Sequence, residues 1–231
     1  MPEKKDRFTK SAILCLENGQ RLLGEAELLE YEDPQATRYY LSIIAQEECA
    51  KGFLLFLVSI EAIPWNVQIF RATRDHRCKQ LLCVVIDFLT DDDEFMKRMN
   101  SFILENKRLN IPARVTDSMF ILRHEKIGRW ESNTWVWAED PSYEETALRV
   151  SEGKKDRAKQ RSLYVELGKT GGVHTTPKQI TKEQANAEYE KGRRFISFLQ
   201  DLTSGEIPNS VDYKNIEQGF RVLFSKYSET A

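Results

Sequence analysis

The chain has 231 residues, of which 30% are charged and 41% hydrophobic, and a formal net charge of −2. That length suits one domain with a sizeable core, and the near-neutral balance excludes wholesale coating by nucleic acid, which needs many Lys and Arg contacts to phosphates. The strongest apolar run, 53–58, is too short to span a bilayer and the charged N-terminus lacks a secretory apolar core, so a cytoplasmic protein without membrane contact is expected.

A first helix is predicted from about Phe8 to Tyr31. Phe8, Ala12, Cys15, Gly19, Leu22, Ala26 and Leu29 recur in steps of four and three, a seam suited to packing along a partner helix. Asp33-Pro34 reads as a short turn and helix start, with Asp33 as cap and Pro34 in the first helical position. The second helix should therefore fold back antiparallel and end at Pro64, followed by a connection over 65–74. A third helix begins near Asp75 or His76, with Cys78, Leu81, Leu82, Val85 and Phe88 inward. The acidic run Asp91 to Glu94 interrupts it, and helical spacing resumes from Phe95 to Leu109. Another helix spans Val115 to Trp130. The following ESNTWVWAEDPSYEE stretch reads as an excursion anchored by Trp135 and Trp137.

A basic segment then runs from Arg149 to Arg161. Leu163 to Leu167 is a short extended piece, and Gly168, Gly171 and Gly172 make a turn. Thr181 opens a helix with a capping-box spacing to Gln184 that continues to about Leu202. After Gly205 to Pro208 a terminal helix is expected from Val211 to Tyr227. Cys15, Cys49, Cys78 and Cys83 show no metal-site spacing and are read as core residues. The pattern is an all-α antiparallel bundle with a loop-rich insertion at about 131–160 and at most a short β-hairpin. One helical domain covers 1–204, with a C-terminal extension over 205–231.

The chemistry is suggested by ATRYYLSIIAQEECAKGFLLFLV, at 36–58. Ala36, Tyr40, Ile43, Glu47, Ala50, Leu54 and Val58 form one stripe of that helix. Glu47 thus sits in an apolar stripe, with Glu48 beside it and Lys51 one turn on. A carboxylate so placed must find a cation or donor, or be forced toward its neutral form. The group is either a buried ion-pair network that fixes helix packing or part of a site, with Lys79 and Arg161 as possible cations and Tyr164 as a core aromatic. His76 opens the next helix, five positions after Arg71, and Arg74, Arg77 and Lys79 crowd around it. Such a cationic helix start suits an anionic ligand. Arginine can neutralise a developing phosphorane while histidine moves a ribose hydroxyl proton. Lys154, Lys155 and Arg157 could extend an RNA-binding groove. No metal and no cofactor are expected.

AQEECAK, DHRCK and RSLYVELGKTGGVHTTPKQITKEQA, in that order, resemble the AbiV family of bacterial abortive-infection proteins, within the HEPN-like helical superfamily. The family's Glu-Glu-x-x-Lys pattern is matched by Glu47, Glu48 and Lys51, and its His-x-x-Lys pattern by His76 and Lys79. Its Arg-x-x-Leu-Tyr-Val segment, followed by Pro and a capped helix, is matched by Arg161, Tyr164, Val165, Pro177 and Thr181. The resemblance implies antiphage defence and a homodimer, which the first-helix seam would also suit. Many HEPN proteins are metal-independent endoribonucleases with an Arg-x4-6-His motif, which Arg71 and His76 match in spacing. The usual motif has a polar residue after the Arg, where this chain has Ala72. The alternative is a non-catalytic protein that binds a phage-encoded product or the translation machinery.

Overall fold

The computed structural model describes residues 2–105, 110–131 and 142–225. It is an all-α bundle with one small two-stranded sheet. Helix α1 (Pro2–Glu27) lies along α2 (Ala36–Ser59). Gly19 of α1 sits against Cys49 and Ala45 while Gly52 of α2 sits against Ala12 and Cys15, so the two run antiparallel. The α1 seam, Phe8, Ala12, Cys15, Leu22 and Ala26, is buried within the protomer. It is therefore already covered, and offers no free surface to a second copy. The helix stops at Glu27, short of Tyr31, and Leu28 and Tyr31 lie in solvent.

Neither Asp33 nor Pro34 takes the place expected of it, because α2 begins two residues later with Gln35 at its cap position. The Gln35 amide turns backward and donates to the Leu29 and Glu30 carbonyls at 3.2 and 3.0 Å. It thereby ties the start of α2 to the turn that follows α1. Helix α2 ends at Ser59, before Pro64. The expected connection holds a short helix, α3 (Val67–Ala72), capped by Asn66, whose side chain accepts from Ile69 N at 2.8 Å. Asp75 caps α4 (His76–Thr90) in the same way, at 2.9 Å from Cys78 N.

The acidic run starts α5 (Asp92–Glu105), with Asp91 accepting from Glu94 N at 3.0 Å. Acids suit that first turn because they face the positive end of the helix dipole. Helix α6 (Ala113–Phe120) widens into a π-helical stretch, Ile121–Gly128, and closes with α7 (Arg129–Glu131). Trp135, Trp137, Leu109 and Tyr227 lie outside the described residues. The basic segment is helical: α8 (Glu145–Ser151) and α9 (Lys154–Arg161) meet at Gly153, whose φ of 77° favours glycine. Strands β1 (Glu166–Leu167) and β2 (Val173–Thr175) pair antiparallel across the glycine turn.

The Thr181 capping box with Gln184 opens α10 (Lys182–Ser204), as its spacing predicts. Ser210 caps α11 (Val211–Phe224). The core lies between α1, α2, α4, α6, α10 and α11, with Phe53 packed against Phe198 and Phe220 at 5.6 and 6.2 Å. All four cysteines are free and buried there. No helix among the described residues is long and apolar enough to cross a membrane.

Candidate functional site

Three elements distant in sequence meet at Glu47. Helix α2 supplies the carboxylate from its buried stripe, 1% exposed. The first turns of α4 bring His76, Lys79 and Gln80, and α9 brings Lys159. His76 Nδ1 lies 2.5 Å from Glu47 Oε2 and Lys79 Nζ lies 3.2 Å from the same oxygen. The other oxygen, Oε1, accepts from Lys159 Nζ at 2.9 Å and Gln80 Nε2 at 3.0 Å. Burial alone would raise the Glu47 pKa, but Lys79, Lys159 and His76 outweigh it and hold the group down at about 2. Burial likewise disfavours the Lys159 ammonium, yet Asp156 and Glu47 leave its pKa above the ordinary value.

The carboxylate can only accept, so in the neutral ring the proton facing Glu47 sits on Nδ1 and the opposite nitrogen, Nε2, carries the lone pair. The His76 side chain is 49% exposed. It presents a proton-accepting edge outward while its inner edge is anchored. Lys159 Nζ stands 3.1 Å from His76 Nδ1 and 2.9 Å from Asp156 Oδ1. Glu47, His76 and Asp156 hold donor atoms within 4.8 Å of one another, a grouping a metal ion could use that the sequence did not reveal. The Lys159 ammonium contacts all three. The protein supplies its own cation at that point.

Around this centre the surface is cationic. Arg71, in the last turn of α3, is exposed and stacks 4.4 Å over the Trp130 ring, a contact that restrains its guanidinium. Arg74 lies over Phe70 at 5.7 Å. Arg77 lies against Gly153, where an added Cβ would stand 3.0 Å from its Nε. Lys126 donates to the Ser151 carbonyl at 3.0 Å, and burial followed by Arg77 lowers its pKa.

The remaining residues suggested by the sequence lie elsewhere. Glu48 pairs with Lys51 at 2.7 Å and accepts from Asn18 at 3.0 Å, a separate pair on another face of α2. Lys154 is exposed and pairs with Glu152 at 3.4 Å, whereas Lys155 turns inward to Glu188 at 3.5 Å. Arg157 is exposed on the outer face of α9. Arg161 and Tyr164 do not join the Glu47 network: Arg161 is exposed and bonds Glu166 at 2.8 Å, and Tyr164 is 66% exposed. The expected core aromatic is a surface one. Lys159, Gln80, Asp156 and Trp130 are the site residues that sequence reasoning missed. Only the spacing of Lys155, Lys159 and Ser162 on one face of α9 signalled an inward lysine.

The chain is a helical bundle with a polar centre between α2 and the start of α4. The HEPN_AbiV family model, described as AbiV, matches residues 8–194. The chain belongs to the AbiV family, which places it among abortive-infection defence proteins. No curated protein and no solved structure matches it.

Proposed function

We propose that this protein acts in abortive infection as a metal-independent endoribonuclease, with His76 as the proton-transfer group and Arg71 as the stabiliser of the transition state. The observation that carries the reading is His76 itself, fixed through Nδ1 by a buried carboxylate and exposed at its other edge. In this reaction the RNA 2′-hydroxyl gives its proton to His76 Nε2 while its oxygen attacks phosphorus. The bond from phosphorus to the 5′ oxygen breaks, and that oxygen takes a proton from water or from the His76 of a second protomer. A cyclic phosphate and a 5′-hydroxyl end result. Arg71 meets charge that develops on the phosphorane, so it acts on rate. Lys159 already supplies positive charge between Glu47 and Asp156, so cleavage should survive excess chelator.

A homodimer belongs to this reading through the family resemblance alone, because the α1 seam is spent within the protomer. The test is purified protein incubated with total cellular RNA in chelator. Wild type should cleave, while His76→Ala and Arg71→Ala should fold normally and lose both cleavage and protection against phage. If both variants still protect cells, the nuclease reading fails and a non-catalytic partner-binding role replaces it.

A further inference from the structure

A buried cation without a counterion stands at the start of α2. Arg38 occupies the first turn of that helix, where the dipole is positive and Gln35 supplies no side-chain cap to offset it. The residue is 4% exposed. Its Nη1 donates to the Asn186 side-chain oxygen and, at 3.4 Å, to Gln35 Oε1, and its guanidinium lies over the Tyr189 ring at 4.8 Å. Among the described residues none of these partners is an anion, and Nε is enclosed with no acceptor. Lys79 and Lys159, enclosed likewise, both meet Glu47. A guanidinium shut away from water calls for a negative partner in the same way. Arg38 lines a cleft of about 540 Å³ between the end of α1, the start of α2 and α10. That size suits a small molecule, and the polar lining excludes an apolar one. Three carboxylates line the cleft too. Glu27 accepts from the Tyr189 hydroxyl and Glu190 pairs with Arg193 at 3.3 Å. The half-buried Glu30 has no side-chain partner among the described residues.

We infer that this cleft binds a small zwitterion, with its anionic end on Arg38 Nη2 and its ammonium on Glu30. Nη2 is the nitrogen of Arg38 left for a ligand, since Nη1 is taken and Nε is enclosed. A simple anion would meet three carboxylates in the cleft, and a simple cation would meet the guanidiniums of Arg38 and Arg193. A guest with both charges complements both, and like-charge contacts turn the others away. Arg38 and Glu47 are nine residues apart on α2, about 13 Å along the helix. The cleft is therefore separate from the His76 centre, and the inference goes beyond the nuclease reading without resting on it.

The experiment is isothermal titration calorimetry of the full chain with glycine, 4-aminobutyrate and 6-aminohexanoate, carboxylate zwitterions of increasing length. O-phosphoethanolamine serves as the phosphate counterpart, and acetate and ethylammonium at equal ionic strength as single-charge controls. At least one zwitterion should bind about tenfold more tightly than either control. The best binder then reports the span from Arg38 to Glu30 and whether the anion is carboxylate or phosphate. Glu30→Gln should weaken that binding about tenfold, toward the level of acetate, and Arg38→Met should abolish it. Glu30→Gln alters only a group on the cleft wall, so it carries the test even where Arg38→Met does not fold. Absence of binding by every zwitterion, acetate binding as tightly as the best of them, or wild-type affinity in either variant would overturn the inference. Because no RNA enters the measurement, its outcome is independent of whether the His76 site cleaves.

Discussion

Glu47 and Glu48 are neighbours on α2, yet they face two different regions of the molecule. Glu47 is buried and answered by His76, Lys79, Gln80 and Lys159, which come from two other helices. Glu48 is answered by Lys51, one turn away, and by Asn18 of α1. A carboxylate whose cation lies one turn away on its own helix and is itself partly exposed can be lost at smaller cost, since water can reach the lysine left behind. One that neutralises two enclosed ammoniums cannot, because its removal leaves charge stranded without solvent. The comparison separates a pair that decorates a helix from a centre that binds three helices together.

The largest effect should come from Glu47→Ala, which strands Lys79 and leaves Lys159 only Asp156, and should cost about 3–5 kcal/mol in a urea titration. A loss as small as that of Glu48→Ala would erase the distinction. Acid should attack the same residue next. The folded-state pKa of Glu47 is depressed from 4.5 to about 2, so its contribution is present above the unfolded value and is lost as pH falls toward about 2. That loss should reach about 3 kcal/mol. Comparing urea midpoints at neutral and acid pH checks it, and Glu47→Gln should lack this part of the slope.

Lys159→Met should cost less, about 2 kcal/mol, because Lys79, His76 and Gln80 still attend Glu47. Lys51→Met, its counterpart at Glu48, should stay within about 0.5 kcal/mol. Equal losses in the two lysine variants, read by thermal unfolding, would show that the Glu47 side gains nothing from its enclosure. Glu48→Ala, the carboxylate side of that same pair, should also stay below about 0.5 kcal/mol.

Much of this organisation is legible in the chain where the signal is local. An acid in an apolar stripe marked Glu47, helical spacing marked the start of α4 near Asp75 or His76, and Thr181 with Gln184 marked α10. What is not legible depends on contacts between distant segments. Lys159 is one of many lysines in a basic run until α9 is placed against α2, 112 residues away in sequence. Arg161 and Tyr164 have the family's pattern, yet the chain leaves α9 after Arg161 and carries both to the surface. Gln35 stands at the α2 cap position in place of Asp33, with its amide turned back to the Leu29 and Glu30 carbonyls of the preceding turn. No local rule anticipates that choice.

The nuclease reading is tested most directly by the chemistry of the RNA ends. After incubation of unpaired RNA with the wild-type protein in excess chelator, mass spectrometry should find 2′,3′-cyclic phosphate on one fragment and 5′-hydroxyl on the other. Neither should form with His76→Ala. Fragments with 5′-phosphate ends, or the same products from His76→Ala, would contradict the role given to His76.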